Sequence, residues 1–226
     1  MKSTNIDKKS SRELREKKVA KILFEAGCVI FRPHQPIKLI SGLLTPIYVD
    51  NRRLISFPKE RDTVAAFLAD LIKENGIPDL IAGAATGGIP HASWVAQKLN
   101  VPMVYVRSKP KDHGQGNQIE GILKRGQRVV VVEDMVSTGS SSSEVIKALK
   151  AAGARILYEV AIYTHNLKAA DTTFKQLNVK FVPLTKLFDV AAVANKQEFL
   201  TDKQVELVLS WSKDPGAWSK KMGFEK

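Results

Sequence analysis

The chain has 226 residues, 44% hydrophobic and 26% charged, which fits one compact globular domain or one domain with a small appendage. We expect a soluble, cytoplasmic protein without a membrane segment, because no apolar run reaches about 18 residues and the Lys/Arg/Glu-rich start lacks the apolar core of a signal peptide. The formal net charge of +12 suits either nucleic acid or small, highly anionic ligands, and composition alone does not decide between them.

The first quarter of the chain predicts an amphipathic helix followed by a small strand-rich flap. Ser10 and Glu13 match a capping box, and Gly27 supplies a stop. Between them, apolar residues recur at helical spacing at Leu14, Val19, Ile22 and Leu23. Short extended runs follow between prolines and glycines, at 29–31, 37–40 and 47–49. Cys28 is the single cysteine, and we interpret it as a buried structural thiol.

From Pro58 onward the pattern predicts helices and strands in alternation. Pro58 suits a first helical turn, and Gly76 ends that helix. The elements after it are a strand at 80–84, a helix at 90–99, strands at 103–106 and 129–133, a helix at 142–152 and a strand at 156–163. Such alternation predicts an α/β fold with a central parallel sheet flanked by helices.

Domain organisation follows from the absence of any linker rich in Gly or Ser. After about Asn166 the signals weaken into helix, short strand and helix. We therefore expect a single domain, 1–226, with an N-terminal helix and flap over about 10–57, a core over about 58–165 and a C-terminal extension over about 166–226.

The segment from Glu133 to Ser141 carries the strongest chemical signal. It follows a run of four valines and precedes a helix, the place where α/β sheets bind ligands. A loop of Gly, Ser and Thr can wrap a phosphate with backbone N–H groups, and the helix N terminus adds positive potential. Glu133 and Asp134 supply acceptors for sugar hydroxyls, so phosphate plus ribose is the implied ligand. A simple helix-capping turn would explain Ser140 to Ser143 but not the acidic pair.

This order of residues resembles the motif that binds phosphoribosyl pyrophosphate (PRPP) in type I phosphoribosyltransferases. The segment 105–116, with Arg107, Lys111, His113 and Gly114, resembles the mobile catalytic loop of orotate phosphoribosyltransferases, although an ordinary polar loop is the alternative. The segment 41–52 resembles the hood segment that borders orotate in that family. Residues 83–90 resemble the loop whose backbone faces pyrophosphate, with a plain tight turn as the alternative.

The resemblance implies a type I phosphoribosyltransferase fold with a strand-rich hood, and a pentosyltransferase that joins orotate to PRPP in pyrimidine synthesis. It implies catalytic roles for Lys111, His113 and Asp134, and orotate contacts from Ser137, Tyr48 and Val49. The implied PRPP-binding residues are Arg107, Lys111, His113, Glu133, Asp134, Met135, Val136, Ser137, Thr138, Gly139, Ser140 and Ser141. Mg²⁺ would be held mainly through PRPP, without a protein metal cage.

The resemblance further implies a homodimer with shared active sites, and no nucleic-acid or membrane partner. The sequence departs from many family members at three places. Ile40 and Ser108 stand where lysines are common, and Lys38 and Lys109 could take over the roles of those lysines. Thr86-Gly87 stands where Tyr-Lys is common. We interpret these as features of one branch of the family. A phosphoribosyltransferase for purines or another nucleobase, and a non-catalytic PRPP-sensing regulator that binds nucleic acid, remain as alternatives.

The histidines and tryptophans outside these segments are interpreted as structural. No basic and aromatic residues interleave around the tryptophans, which are therefore interpreted as packing or interface residues and not as a nucleic-acid stacking platform. They are His34, His91, His165, Trp94, Trp211 and Trp218.

Overall fold

The computed structural model describes residues 3–38, 44–108 and 118–222, with side chains from residue 10 onward. The helices in these ranges are α1 (Ser3–Glu25), a 3₁₀ helix (Asn51–Ser56), α2 (Pro58–Asn75), α3 (Gly88–Leu99), α4 (Ser140–Ala151), α5 (Lys168–Leu177), α6 (Leu187–Lys196), α7 (Asp202–Lys213) and α8 (Pro215–Lys221). The strands are β1 (Val29–Phe31), β2 (Ile37–Lys38), β3 (Leu44–Thr45), β4 (Ile47–Val49), β5 (Leu80–Ala84), β6 (Met103–Val106), β7 (Ile119–Glu120), β8 (Arg128–Val136), β9 (Arg155–Thr164) and β10 (Lys180–Lys186).

A central sheet organises the described part of the chain. Its strand order is β10-β9-β8-β5-β6-β7, and all neighbouring pairs are parallel except β6 with β7. The four valines at 129–132 are 0% exposed, as expected for a strand covered on both faces. The prediction of an α/β fold with a central parallel sheet is therefore confirmed, with an antiparallel strand added at one edge.

Helices cover both faces of this sheet because successive strand residues point to opposite sides. On one face, Val130 and Val132 pack in a cluster that includes residues of α1, α2, α3, α6, α7 and α8. On the other face, Val129 and Val131 pack against α4 and α5. Within the described ranges, none of the helices has the length and apolar composition needed to span a bilayer.

Two small antiparallel pairs lie beside the sheet. Strand β1 pairs with β4, with Ile30 opposite Tyr48, and β2 pairs with β3, with Ile37 opposite Thr45. These four strands form the hood, defined here as the described residues between 29 and 49. The predicted strand-rich flap is thus confirmed, and β3 is a strand that the sequence pattern did not indicate.

The start of α1 was predicted wrongly. The helix begins at Ser3, so Ser10 and Glu13 lie inside it instead of capping it. No Gly or Pro occurs before Gly27, and nothing therefore stops the helix from extending toward the N terminus. Leu14, assigned to the apolar face, is 70% exposed, whereas the predicted stop at Gly27 is confirmed by its φ of +66°.

Other boundaries shift by a few residues, and one region is richer in helices than expected. Strand β8 continues to Val136, three residues beyond the predicted end, and α4 begins at Ser140 instead of 142. Beyond Asn166 the described residues form one strand and four helices, where helix, strand and helix were expected. Cys28 is buried as predicted, and burial raises the pKa of its thiol to about 12.

Candidate active site

The candidate site lies at the carboxyl ends of β5, β6 and β8. Parallel strands bring these ends to one edge of the sheet, where α3 and α4 begin. Neither helix has a side-chain cap among the described residues, because the N-cap positions are Gly87 and Gly139. Two helix N termini therefore face the same edge, which favours an anionic ligand. In α3 the Ile89 N–H already donates to the Thr86 carbonyl at 3.4 Å and Pro90 has no N–H, so α4 offers more free donors.

The acidic pair stands at this edge as the last part of β8. Glu133 is 4% exposed, and its Oε1 accepts a hydrogen bond from the backbone N–H of Asp134 at 3.0 Å. Burial raises the pKa of Glu133 well above its usual range, and the negative charge of Asp134 raises it further. Burial also raises the pKa of Asp134. A ligand that favours the two ionised carboxylates would therefore bind with release of a proton.

Two glycines let the backbone after β5 approach this pair. A Cβ atom placed on Gly87 would lie 2.5 Å from the Asp134 Cγ and Oδ1 atoms. One placed on Gly88 would lie 2.5 Å from the Val132 carbonyl oxygen. The peptide bond between Ala85 and Thr86, just before them, is cis. Only glycine fits at these two positions without displacement of a neighbour.

The predicted phosphate loop turns sharply at Gly139, whose φ is +81°. Behind the turn, the Thr173 hydroxyl donates a hydrogen bond to the Thr138 carbonyl at 2.9 Å. The Thr138 and Ser140 hydroxyls lie 2.9 Å apart, and these two residues and Ser141 are exposed. Ser137 is half-buried. The loop thus presents hydroxyls and helix-end N–H groups to solvent, as a phosphate cradle requires.

The 3₁₀ helix that follows the hood reaches the acidic pair through Asn51, which sequence reasoning did not select. The Asn51 side-chain amide donates a hydrogen bond to the Asp134 carbonyl at 2.8 Å, and Asn51 is fully buried. Its neighbour Arg52 lies in an ion pair with Asp50 at 2.6 Å. The positive charge of Arg52 also opposes the rise in the pKa of Asp134. The residues after β4 therefore help to fix the acidic pair.

The two predicted orotate contacts from the hood point in opposite directions. Tyr48 is 38% exposed, whereas Val49 is 8% exposed and packs in the hydrophobic core. Neighbouring residues of a strand alternate in this way. The side chain of Tyr48 is accessible to a ligand, while Val49 offers chiefly its backbone groups.

Arg107 marks the entry to the predicted catalytic loop. Its backbone N–H donates to the Gln118 carbonyl at 2.9 Å, and the Gln118 side chain donates to the Arg107 carbonyl at 2.9 Å. The guanidinium lies 3.6 Å from a carboxylate oxygen of Glu120. The two ends of the loop are therefore joined at the site edge of the sheet. Lys111 and His113 lie outside the described residues.

A further buried acid lies beneath the phosphate loop. Glu159 of β9 is 0% exposed, and its Oε1 accepts a hydrogen bond from the Ser142 hydroxyl at 2.6 Å. Burial raises the pKa of Glu159 to about 8. Ser142 belongs to the first turn of α4, so this bond holds the start of the helix to the sheet. Sequence reasoning missed the pair because its members lie on separate elements.

The structure brings together Glu133 to Ser141, Arg107 and the 85–88 turn at one edge of the sheet. Asn51, in the 3₁₀ helix after the hood, is hydrogen-bonded to Asp134. Among the described residues, no cluster of three or more His, Cys, Asp or Glu side chains is placed to hold a metal ion. The donors suited to a cation here are the two carboxylates of Glu133 and Asp134.

Comparison with known families matches residues 53–195 to the phosphoribosyl transferase domain. The chain is 46% identical over 206 residues to an orotate phosphoribosyltransferase of Listeria innocua, covering 91% of this chain and 99% of that protein. It is 43% identical over 206 residues to an orotate phosphoribosyltransferase of Enterococcus faecalis, covering 90% and 98%.

Solved structures give the same relationship. The UMP synthase of Leishmania donovani is similar with a TM-score of 0.75 and 30% identity, covering 87% of this chain, which spans 42% of that protein's chain. The orotate phosphoribosyltransferase of Aeropyrum pernix is similar with a TM-score of 0.67 and 26% identity, covering 80% and 99%. This chain therefore belongs to the phosphoribosyl transferase family and has its type I fold, with orotate phosphoribosyltransferases as its near relatives.

Proposed function

We propose that this chain is an enzyme that transfers the phosphoribosyl group of PRPP to orotate, giving orotidine 5′-phosphate and pyrophosphate for pyrimidine synthesis. The observation that carries the proposal is the acidic pair of buried Glu133 and half-buried Asp134 between the uncapped N termini of α3 and α4. A sugar with phosphate groups on both sides fits that arrangement. Similarity to orotate phosphoribosyltransferases over nine tenths of the chain supports orotate as the base.

The 5′-phosphate of PRPP would lie in the loop from Met135 to Ser141. There it would accept hydrogen bonds from loop and helix-end N–H groups and from the exposed hydroxyls. Glu133 and Asp134 would accept hydrogen bonds from the ribose 2′- and 3′-hydroxyls. The pyrophosphate would lie along the 85–88 turn, where Gly87 and Gly88 permit close approach of the backbone.

In the reaction, a bond forms between orotate N1 and the anomeric carbon while the bond from that carbon to pyrophosphate breaks. The bonding electrons leave with pyrophosphate, and positive charge builds on the ribose ring. The carboxylate of Asp134 stabilises that charge, and Arg107, Lys111 and His113 donate to the departing pyrophosphate. As the new bond forms, the N1 proton of orotate passes to the departing pyrophosphate or to water. No protein base is assigned, because positioning and electrostatics supply most of the effect.

The acidic pair also fits the Mg²⁺ that PRPP would bring. Glu133 and Asp134 would offer two carboxylates to the cation, and PRPP oxygens would supply most of its other ligands. Mg²⁺ would neutralise part of the pyrophosphate charge.

On the base side, we propose that Tyr48, the backbone at Val49 and Ser137 border orotate. Tyr48 is accessible, and Ser137 follows directly on the last residue of β8. The base would thus lie between the hood and the phosphate loop.

We also propose a homodimer in which each catalytic loop serves the partner's site. Mixing a Lys111→Ala chain with an Asp134→Asn chain should then restore activity through hybrid dimers. Absence of recovery despite verified subunit exchange would refute the shared site.

The function is tested by loss of orotate absorbance when PRPP and Mg²⁺ are added to the purified protein. We expect turnover with orotate and none with adenine, hypoxanthine or uracil, and a large loss in an Asp134→Asn variant. Preference for another base would indicate the alternative substrate class. Retention on DNA at physiological salt without PRPP turnover would indicate the regulator instead.

A further inference from the structure

Helix α7, near the C-terminal end of the described residues, contacts the hood through a buried tryptophan. Trp211 is 2% exposed, and its indole N–H donates a hydrogen bond to the Leu44 carbonyl at 2.9 Å. The two residues are 167 positions apart in the chain. A buried indole N–H needs an acceptor, and here the acceptor belongs to strand β3 of the hood.

A tight turn at Thr45 connects Leu44 to the strand that carries Tyr48. The Thr45 hydroxyl donates to the Ile47 carbonyl at 2.7 Å and accepts from the Ile47 N–H at 3.2 Å. Thr45 is 2% exposed, so these two hydrogen bonds are shielded from water. Strand β4, which carries Tyr48, starts at Ile47. Whatever fixes Leu44 therefore fixes the strand that borders the base.

On its other side, Trp211 contacts the end of β9 next to the phosphate loop. The ring of His165 meets the indole edge-on, with centroids 5.0 Å apart. The His165 backbone N–H donates to the Val136 carbonyl at 3.2 Å, and its Nδ1 atom lies 2.9 Å from the Tyr163 hydroxyl. A continuous path of contacts thus runs from the end of β8 through His165 and Trp211 to the hood.

We propose that Trp211 is a positioning residue that holds the hood at the distance from the phosphate loop that orotate requires. The inference rests on the proposed function, because it takes Tyr48 to border orotate. PRPP would contact the sheet edge and not the hood, so its binding should depend little on Trp211. If only a fraction of molecules has the hood in place, the apparent affinity for orotate is reduced to that fraction of its full value.

A second contact limits the size of the effect. The side chains of His34 in the hood and Gln204 in α7 lie 3.1 Å apart at the surface. Loss of the indole hydrogen bond should loosen the hood and not release it. We therefore expect a change of about three- to tenfold, which corresponds to one neutral hydrogen bond.

The test compares Trp211→Phe with Trp218→Phe. Trp218 is 4% exposed, and its indole N–H donates to the Leu207 carbonyl at 3.1 Å. Helix α8 also packs beside β3, but this hydrogen bond joins α8 to α7 and not to the hood. Each substitution keeps an aromatic ring and removes one buried N–H. The Trp211→Phe variant should raise KM for orotate about three- to tenfold and leave KM for PRPP within about twofold. Trp218→Phe should leave both values unchanged.

Hydrogen–deuterium exchange gives a readout that does not depend on the substrate. Peptides that cover residues 44–49 should exchange faster in Trp211→Phe than in wild type or in Trp218→Phe. Equal effects of the two substitutions, or wild-type KM and exchange in Trp211→Phe, would overturn the proposal. If the wild-type protein failed to convert orotate, the proposed function and the link to orotate would fall. The exchange result would then still decide whether Trp211 holds the hood.

Discussion

Replacing Gly87 by alanine should damage catalysis while sparing the fold. Gly87 has φ −66° and ψ −33°, a backbone conformation open to any residue, so alanine adds no backbone strain. Its new methyl group would, however, lie 2.5 Å from the Asp134 carboxyl carbon. An ordinary contact between such atoms is about 3.5 Å. The carboxylate must therefore move by about 1 Å.

A displacement of that size is expected to lower kcat/KM for PRPP by about 10²-fold, since catalytic groups tolerate little misplacement. The free energy of unfolding should change by less than about 1 kcal/mol. The backbone of Asp134 cannot easily shift with the side chain, because the Asn51 side chain donates a hydrogen bond to the Asp134 carbonyl at 2.8 Å. The measurements are steady-state kinetics with PRPP and orotate, and thermal unfolding.

Gly216→Ala is the matched control. A methyl group there would meet only Asp214 Oδ1, at the ordinary distance of 3.5 Å, far from the site in the chain. A double variant, Gly87→Ala with Asp134→Asn, should lose little more activity than Asp134→Asn alone if the methyl acts through that carboxylate. Wild-type kcat/KM in Gly87→Ala would refute the idea that the position of Asp134 matters.

Two further predictions concern buried acids. The pKa of Glu133 is raised in the free protein, whereas ribose hydroxyls favour its ionised form, so PRPP binding should release a proton and become tighter as the pH rises through that pKa. Calorimetry in buffers of different ionisation enthalpy measures the number of protons released. The Glu133→Gln variant should lose the proton release that is due to Glu133. The pKa of Glu159 is raised to about 8, so the folded state retains a proton that the unfolded chain loses above its ordinary value near 4.5. Stability is then lost with rising pH between these values, by roughly 1.4 kcal/mol per unit at most. The difference in Tm between Glu159→Gln and wild type should therefore grow in favour of the variant from pH 5 to 8, and a constant difference would contradict the assignment.

The core of the fold was predictable because its signals are local. The valine run at 129–132 is long and apolar enough to indicate a strand buried on both faces, and all four residues are buried. Pro58 and Gly76 mark both ends of α2. Each of these features depends on residues within one element or its immediate flanks, which is the information that a single sequence carries best.

The ends of the elements were less predictable because pairing with other strands decides them. Residues Asp134 to Val136 were expected in a loop, because the predicted strand ended at Glu133 and hydroxyl residues follow. They remain in β8 because β9 pairs beside them, with Glu133 opposite Ala161 and Met135 opposite Tyr163. That pairing links residues 28 positions apart, and no local pattern contains it. The extra strand residues project the acidic pair from a rigid element and not from a flexible turn.

The supporting residues of the site show the same limit more sharply. Glu133 and Asp134 were recognisable because they interrupt an apolar strand before a Gly/Ser/Thr loop. Asn51 is an ordinary polar residue in the sequence, and only the fold places its amide 2.8 Å from the Asp134 carbonyl, 83 positions away. In the sequence, Trp211 likewise looks like an ordinary core tryptophan, and only the fold shows that its indole N–H donates to the Leu44 carbonyl in the hood. Residues that take part in the chemistry form a recognisable local pattern in the sequence. Residues that hold them in place are distant in the chain and form no such pattern. Variants of Asn51 and Trp211 should accordingly change substrate affinity through geometry, without contact with the reacting atoms.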